Sequence, residues 1–192
     1  ASDDHLLPAH ESAIQIIPQS LNFCEPGDIV FRDSLTGLYD RLFALEAMRM
    51  YINRGTTPFS IVMGDINGLS TINDTMGYDT GDEILAKVAR ILKTSCRDDD
   101  IVARWGGDSF MLLLPNTSPK ETQIVLTRLY GELDRRFGEN SSIMTFGYAA
   151  MDDHPRTAEE LIREAERWTY RKKLLINKSH RSSIIQLLLT ML

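Results

Sequence analysis

The chain has 192 residues, a formal net charge of −6, and 43% apolar and 25% charged content, enough for one domain with a proper core and short appendages. The acidic balance argues against a sequence-independent nucleic-acid binder, which carries a basic surplus. No apolar run approaches the roughly 20 residues that span a bilayer and no signal peptide is visible, while Cys24 and Cys96 lack metal-type spacing, so the chain reads as cytoplasmic, or as the cytoplasmic part of a larger protein, with no membrane contact of its own.

Residues 1–32 are punctuated by Pro8, Pro18 and Pro26, and only Ala13-Ile14-Gln15-Ile16-Ile17 suggests a short strand or helical turn. The stretch reads as a linker with the remnant of an upstream module. A turn at Asp33-Ser34-Leu35-Thr36-Gly37-Leu38 is followed by a helix over 40–53, with Leu42, Leu45, Met48 and Ile52 expected on one face. Phe59-Ser60-Ile61-Val62-Met63-Gly64 is nearly continuous in apolar residues, the pattern of a strand buried on both faces. It ends at Asp65, which either caps the next helix or marks a ligand site at the strand's end. A short helix over 69–76 breaks at Gly77, and a long one follows to about Cys96 with Ile84, Leu85, Val88, Ile91 and Leu92 on one face.

Two apolar runs, Ile101-Val102-Ala103 and Phe110-Met111-Leu112-Leu113-Leu114, flank Trp105-Gly106-Gly107-Asp108-Ser109. The paired glycines, Gly106 and Gly107, supply the positive φ of a tight hairpin, which places Asp108 at its tip. A helix over 118–137 should bury Ile124, Val125, Leu129 and Leu133; a strand follows over 142–148. Thr157-Ala158-Glu159-Glu160 has the form of a capping box opening a helix that passes Lys173. The alternation predicts an α/β (α+β) sandwich, with a central mixed β-sheet flanked by helices and a hairpin in its middle.

These motifs resemble, in order and spacing, the diguanylate cyclase or GGDEF domain family across residues 33–178. Asp33-Ser34-Leu35-Thr36-Gly37-Leu38-Tyr39-Asp40-Arg41 is similar to its opening D-x-L-T-G-L-x-N-R, and Asp65-Ile66-Asn67-Gly68-Leu69 to its D-[IV]-D-x-F metal segment. Ile72-Asn73-Asp74 with Gly77-Tyr78-Asp79-Thr80-Gly81-Asp82 is similar to I-N-D-x-x-G-H-x-x-G-D, with Tyr78 for His. Arg104-Trp105-Gly106-Gly107-Asp108-Ser109-Phe110 is similar to the signature, with Ser109 where Glu is usual. The tail, from Tyr170 through Ser179-His180-Arg181 to Leu192, looks like the junction preceding an HD-GYP phosphodiesterase domain; residues 179–192 would then be the junction helix to that neighbour.

The resemblance implies an adenylyl-cyclase-like palm fold and a reaction joining two GTP into cyclic di-GMP and pyrophosphate at a homodimer interface. It assigns Mg²⁺ or Mn²⁺ to Asp65, Asp108 and the Ile66 carbonyl, with Ser109 at the third catalytic position. Guanine contacts fall to Asn73 and Asp82, whose amide and carboxylate complement the base's O6 and its N1–H and N2–H edge. Phosphate contacts fall to Gly68, Leu69, Ser70 and Lys173, with Ser70 where a Lys is usual. Arg97 and Asp100 match an R-x-x-D site for product cyclic di-GMP, with Arg128 as a second contact. Ser109 brings a hydroxyl but not the missing charge. The alternative implied is a catalytically degenerate module that binds GTP or cyclic di-GMP and controls an attached phosphodiesterase.

Overall fold

The computed structural model describes residues 31–138, 142–152 and 154–190, with side chains to residue 176. Most of the expected linker over 1–32, and the side chains of the expected junction over 179–192, lie outside the described residues. The elements in order are α1 (Arg41–Asn53), β1 (Phe59–Ile66), α2 (Leu69–Met76), α3 (Tyr78–Ser95), β2 (Ile101–Gly106), β3 (Ser109–Pro115), α4 (Pro119–Phe137), β4 (Met144–Met151) and α5 (Ala158–Thr190).

The strands form one sheet in the order β2-β3-β1-β4. Every strand pairing in it is antiparallel. The mixed sheet expected from helix–strand alternation is therefore corrected: the parallel component is confined to the single bridge Tyr39–Ala103. The alternation misled because β1 is followed by two helices and rejoined by the β2–β3 hairpin, which returns the chain antiparallel.

β1 is central and buried on both faces, as its apolar run requires. Its even-numbered residues Val62 and Ile66 join Leu112, Leu114 and Phe146 under α3 and α4. Its odd-numbered Phe59, Ile61 and Met63 join Met111 and Leu113 under α1 and α5. Each such fully buried side chain contributes about 1.5–3 kcal/mol by leaving water, so a one-residue slip of β1 would exchange two complete cores.

The helix faces follow the prediction only in part. In α3, Leu85, Val88, Ile91 and Leu92 are buried as expected. In α1 the buried face is Phe43, Ala44, Ala47, Met48 and Tyr51, and Leu42 is exposed. Asp40 sets this phase: its carboxylate caps the Phe43 amide at 2.8 Å, and Tyr39 stacks on Phe43 with ring centroids 3.9 Å apart. In α4, Ile124 is exposed while Val125, Leu129 and Leu133 are buried. Thr157 and Glu160 form the expected box, each side chain bonding the other's amide.

Candidate active site

The strand register brings two separated motifs together. Asp65, the last odd-numbered residue of β1, pairs with Ser109 of β3. The Ile66 amide donates to the Asp108 carbonyl at 3.0 Å, so the hairpin tip is fastened to the end of β1. The two-residue turn is Gly107-Asp108, closed by the Gly106–Ser109 pair, and Trp105 is the extra residue of a bulge between Arg104 and Gly106. Gly107 has φ +53, which a residue with a Cβ seldom adopts.

Two residues whose motifs gave them no role in the sequence hold this tip. Arg104 donates from Nε and Nη2 to the Gly107 carbonyl at 3.2 and 2.9 Å. Its Nη1 reaches the Asp33 carboxylate at 3.1 Å. Asp33 also accepts from the Thr36 amide and hydroxyl at 2.8 and 2.6 Å. Burial alone would raise the Asp33 pKa, but the Thr36 bonds and the Arg104 charge outweigh it and hold the carboxyl below its usual 3.8. The opening motif and the signature thus brace each other across 71 residues of sequence.

Lys173 closes the site from α5. Its Nζ lies 3.3 Å from Asp65 Oδ2 and 3.5 Å from Asp108 Oδ2. The helix can come this close because β4 carries Gly147: a Cβ there would stand 2.5 Å from Thr169 Oγ1 and closer still to the Ala165 carbonyl and the Thr169 amide. Thr169 hydrogen-bonds the Met63 carbonyl, and Lys172 reaches the Phe146 carbonyl at 2.8 Å. Lys172 therefore staples α5 to the sheet while Lys173 serves the carboxylates. Burial pushes the Lys172 pKa down.

Ser109 donates its hydroxyl to Asp65 Oδ1 at 2.7 Å. Asp65 is thus held by Ser109 on one oxygen and Lys173 on the other. No group of three or more His, Cys, Asp or Glu side chains suited to a metal occurs among the described residues. The donors that converge are two carboxylates, and both point at one cationic atom, Lys173 Nζ. An all-oxygen pair of this kind suits a hard divalent cation such as Mg²⁺ or Mn²⁺. Asn67, at the second Asp of the metal motif, turns away: its Nδ2 reaches the Ser142 carbonyl at 2.6 Å and Thr145 Oγ1 at 2.9 Å, bracing the start of β4.

Gly68, Leu69 and Ser70, three of the residues expected to contact phosphate, lie at the start of α2. Gly68 occupies the N-cap with φ +71, and no side chain caps this end, so the first-turn amides are left for another acceptor. Leu69 is buried and Ser70 exposed; Leu69 thus offers its backbone, not its side chain.

Asn73 and Asp82, the residues expected to read guanine, are brought together by helix packing. Asn73 on α2 presses its carbonyl oxygen against Gly81 of α3, the residue before Asp82. Asp82 is exposed, and Asn73 Oδ1 is buried without a hydrogen-bond partner. An acceptor left so costs roughly 1–3 kcal/mol. The orphaned oxygen thus fits an N–H-bearing ligand.

Arg97 and Arg128 share one cavity of about 410 Å³, with Arg135 and Arg136 also on its wall. Arg135 is paired with Glu132 at 2.8 Å. Asp100 is buried, and its carboxylate accepts the Arg97 amide at 2.8 Å. Burial raises the Asp100 pKa, against the lowering effect of Arg97 and Arg128. Arg97 itself is exposed.

The family described as "Diguanylate cyclase, GGDEF domain" matches residues 30–178. The chain belongs to this family. As a GGDEF domain it is 34% identical over 147 residues to the diguanylate cyclase DosC of Escherichia coli, which covers 72% of this chain and 32% of DosC. The chain thus spans about a third of the length of that curated relative. Among solved structures it resembles the diguanylate cyclase SiaD of Pseudomonas aeruginosa, solved with its activator SiaC, with TM-score 0.69 and 27% identity over 85% of this chain and 64% of that one. The GGDEF domain of DgcB from Caulobacter crescentus, solved with cyclic di-GMP, shares the fold at TM-score 0.67 and 22% identity, over 78% and 93% of the two chains. The antiparallel sheet layered between helices is the cyclase palm. No helix among the described residues is long and apolar enough to cross a membrane.

Proposed function

We propose that this GGDEF domain is a cyclic di-GMP signalling domain of the diguanylate cyclase type, slowed by Ser109. It binds GTP with Mg²⁺ or Mn²⁺ and condenses two GTP molecules to cyclic di-GMP and pyrophosphate when two copies face each other. The observation that carries this reading is the convergence of Asp65, Asp108 and Lys173 on one point.

Joining a ribose 3′-hydroxyl to an α-phosphate is catalysed mainly by positioning and charge neutralisation. Asp65, Asp108 and the Ile66 carbonyl would hold the cation; when bound it neutralises triphosphate charge and makes the hydroxyl a better nucleophile. Asn73 and Asp82 hold the base edge, and the amides at Gly68, Leu69 and Ser70 receive phosphate oxygens. Lys173 is released from the carboxylate pair to meet phosphate charge. Each copy binds one GTP, so a homodimer supplies both reactants. Arg97 and Arg128, with their shared cavity, are assigned to cyclic di-GMP, and Asp100 to holding the Arg97 turn.

A second reading, a regulatory module that binds nucleotide without turning it over and controls a downstream HD-type phosphodiesterase, is favoured by the Ser109–Asp65 bond and the lack of a third carboxylate. Both readings place the domain in the cytoplasm, alone or as the cytoplasmic part of a larger protein. GTP with Mg²⁺ should raise the melting temperature, and Asp65→Ala should abolish the rise. No rise in the parent protein would remove both readings.

A further inference from the structure

We propose that Tyr78 is a base-binding residue, whose ring forms the stacking wall for the purine held by Asn73 and Asp82. The inference rests on the assignment of those two residues to the base. Tyr78 is the first residue of α3, and Gly81, Asp82 and Leu85 follow it at i+3, i+4 and i+7, which places all four along one stripe of the helix. Further along, that stripe is core: Leu85 is 4% exposed. At the helix start the same stripe has run past the edge of the core, and Tyr78 is 74% exposed.

What lies beside this uncovered stretch is polar and unsatisfied. Asn73 Oδ1 is seated against Gly81 with no hydrogen-bond partner, and the Asp82 side chain is exposed one turn from Tyr78. The two flanks of Gly77, Met76 and Tyr78, are both large, apolar in body and exposed, at 57% and 74%. Exposing two such side chains at one corner costs free energy unless something covers them. Edge-reading polar groups beside an uncovered aromatic ring supply the two things a flat heteroaromatic base needs: hydrogen bonds in its plane and a surface against its face. Phosphate needs neither, so the contribution of Tyr78 should fall on the base alone.

The test is calorimetric titration of the parent protein and its variants with a non-hydrolysable GTP analogue and, separately, with inorganic tripolyphosphate, both with Mg²⁺. Tyr78→Ala should weaken the GTP analogue by about tenfold or more and leave tripolyphosphate unchanged. Tyr78→Phe should restore the parent affinity, since the ring face and not the hydroxyl is used. Equal affinity of the parent and Tyr78→Ala for the GTP analogue would overturn the proposal and leave the base site standing. A parallel loss of tripolyphosphate affinity would also overturn it, since the change would then be structural. A parent protein that binds tripolyphosphate and the GTP analogue equally well would overturn the base site itself, and this inference with it.

Discussion

Gly147 lies on β4 opposite Met63, two residues short of Asp65, and the site depends on its having no side chain. In Gly147→Ala the new methyl would stand 2.5 Å from Thr169 Oγ1 and nearer to the Ala165 carbonyl and the Thr169 amide, where ordinary contact begins at 3.4 Å. Two of those atoms are backbone of α5, so no rotamer relieves the clash, and the helix must retreat by about 1 Å. Overpacking of this kind costs ~1–3 kcal/mol, and the Thr169–Met63 bond at 3.2 Å weakens with it. At about 2–4 °C per kcal/mol for a domain of this size, the melting temperature should fall by ~2–12 °C. Lys173 lies one turn beyond Thr169, and the same retreat carries its Nζ from 3.3 Å to beyond ion-pairing distance of Asp65. The thermal rise produced by GTP and Mg²⁺ should therefore shrink as well. Gly131→Ala is the control: it sits inside α4 with nothing within 4 Å of a new Cβ, and should gain ~0.5–1 kcal/mol from helix propensity. A melting curve of Gly147→Ala that overlays the parent, or shifts upward with Gly131→Ala, would refute the account of how α5 is seated.

Two further predictions concern the pocket and the hairpin clamp. Gly81→Ala should push Asn73 out of its seat and weaken guanine nucleotides while sparing inorganic tripolyphosphate; calorimetry showing equal loss of both would mean the change acts through folding. The folded pKa of Asp33 lies below its ordinary 3.8, so its contribution to stability is present above that value and lost as pH falls through the folded pKa. The melting-temperature advantage of the parent over Asp33→Asn should therefore be largest at neutral pH and disappear on acidification. An advantage independent of pH would show that the Arg104–Asp33 contact acts without its charge.

Much of this architecture was legible in the sequence because β1, β3 and α3 carry long apolar patterns of one period. The candidate site was readable as motifs with fixed spacing, and the strand register turned Asp65 and Asp108 into neighbours. Strand direction was not legible, since periodicity does not distinguish a parallel crossover from a hairpin return. The phase of α1 was misread because the Asp40 cap and the Tyr39–Phe43 stack rotate the helix one residue from the leucine pattern. Arg104 and Asp33 stood in quoted motifs, but only the fold shows that one clamps the other. Gly147 carried no signal, and Gly81 stood in a motif without a reason for it: what requires a glycine is a neighbour 18 to 22 residues later in one case and eight earlier in the other.

The central claim is that two carboxylates and Lys173 suffice for slow turnover. It is tested most directly by a chromatographic assay of concentrated protein with GTP and Mg²⁺, run beside Ser109→Glu. The account predicts cyclic di-GMP from the parent chain and a higher rate from Ser109→Glu, which restores the missing charge. Product from Ser109→Glu alone would contradict it, and would make the domain a nucleotide-binding regulator on an intact cyclase scaffold.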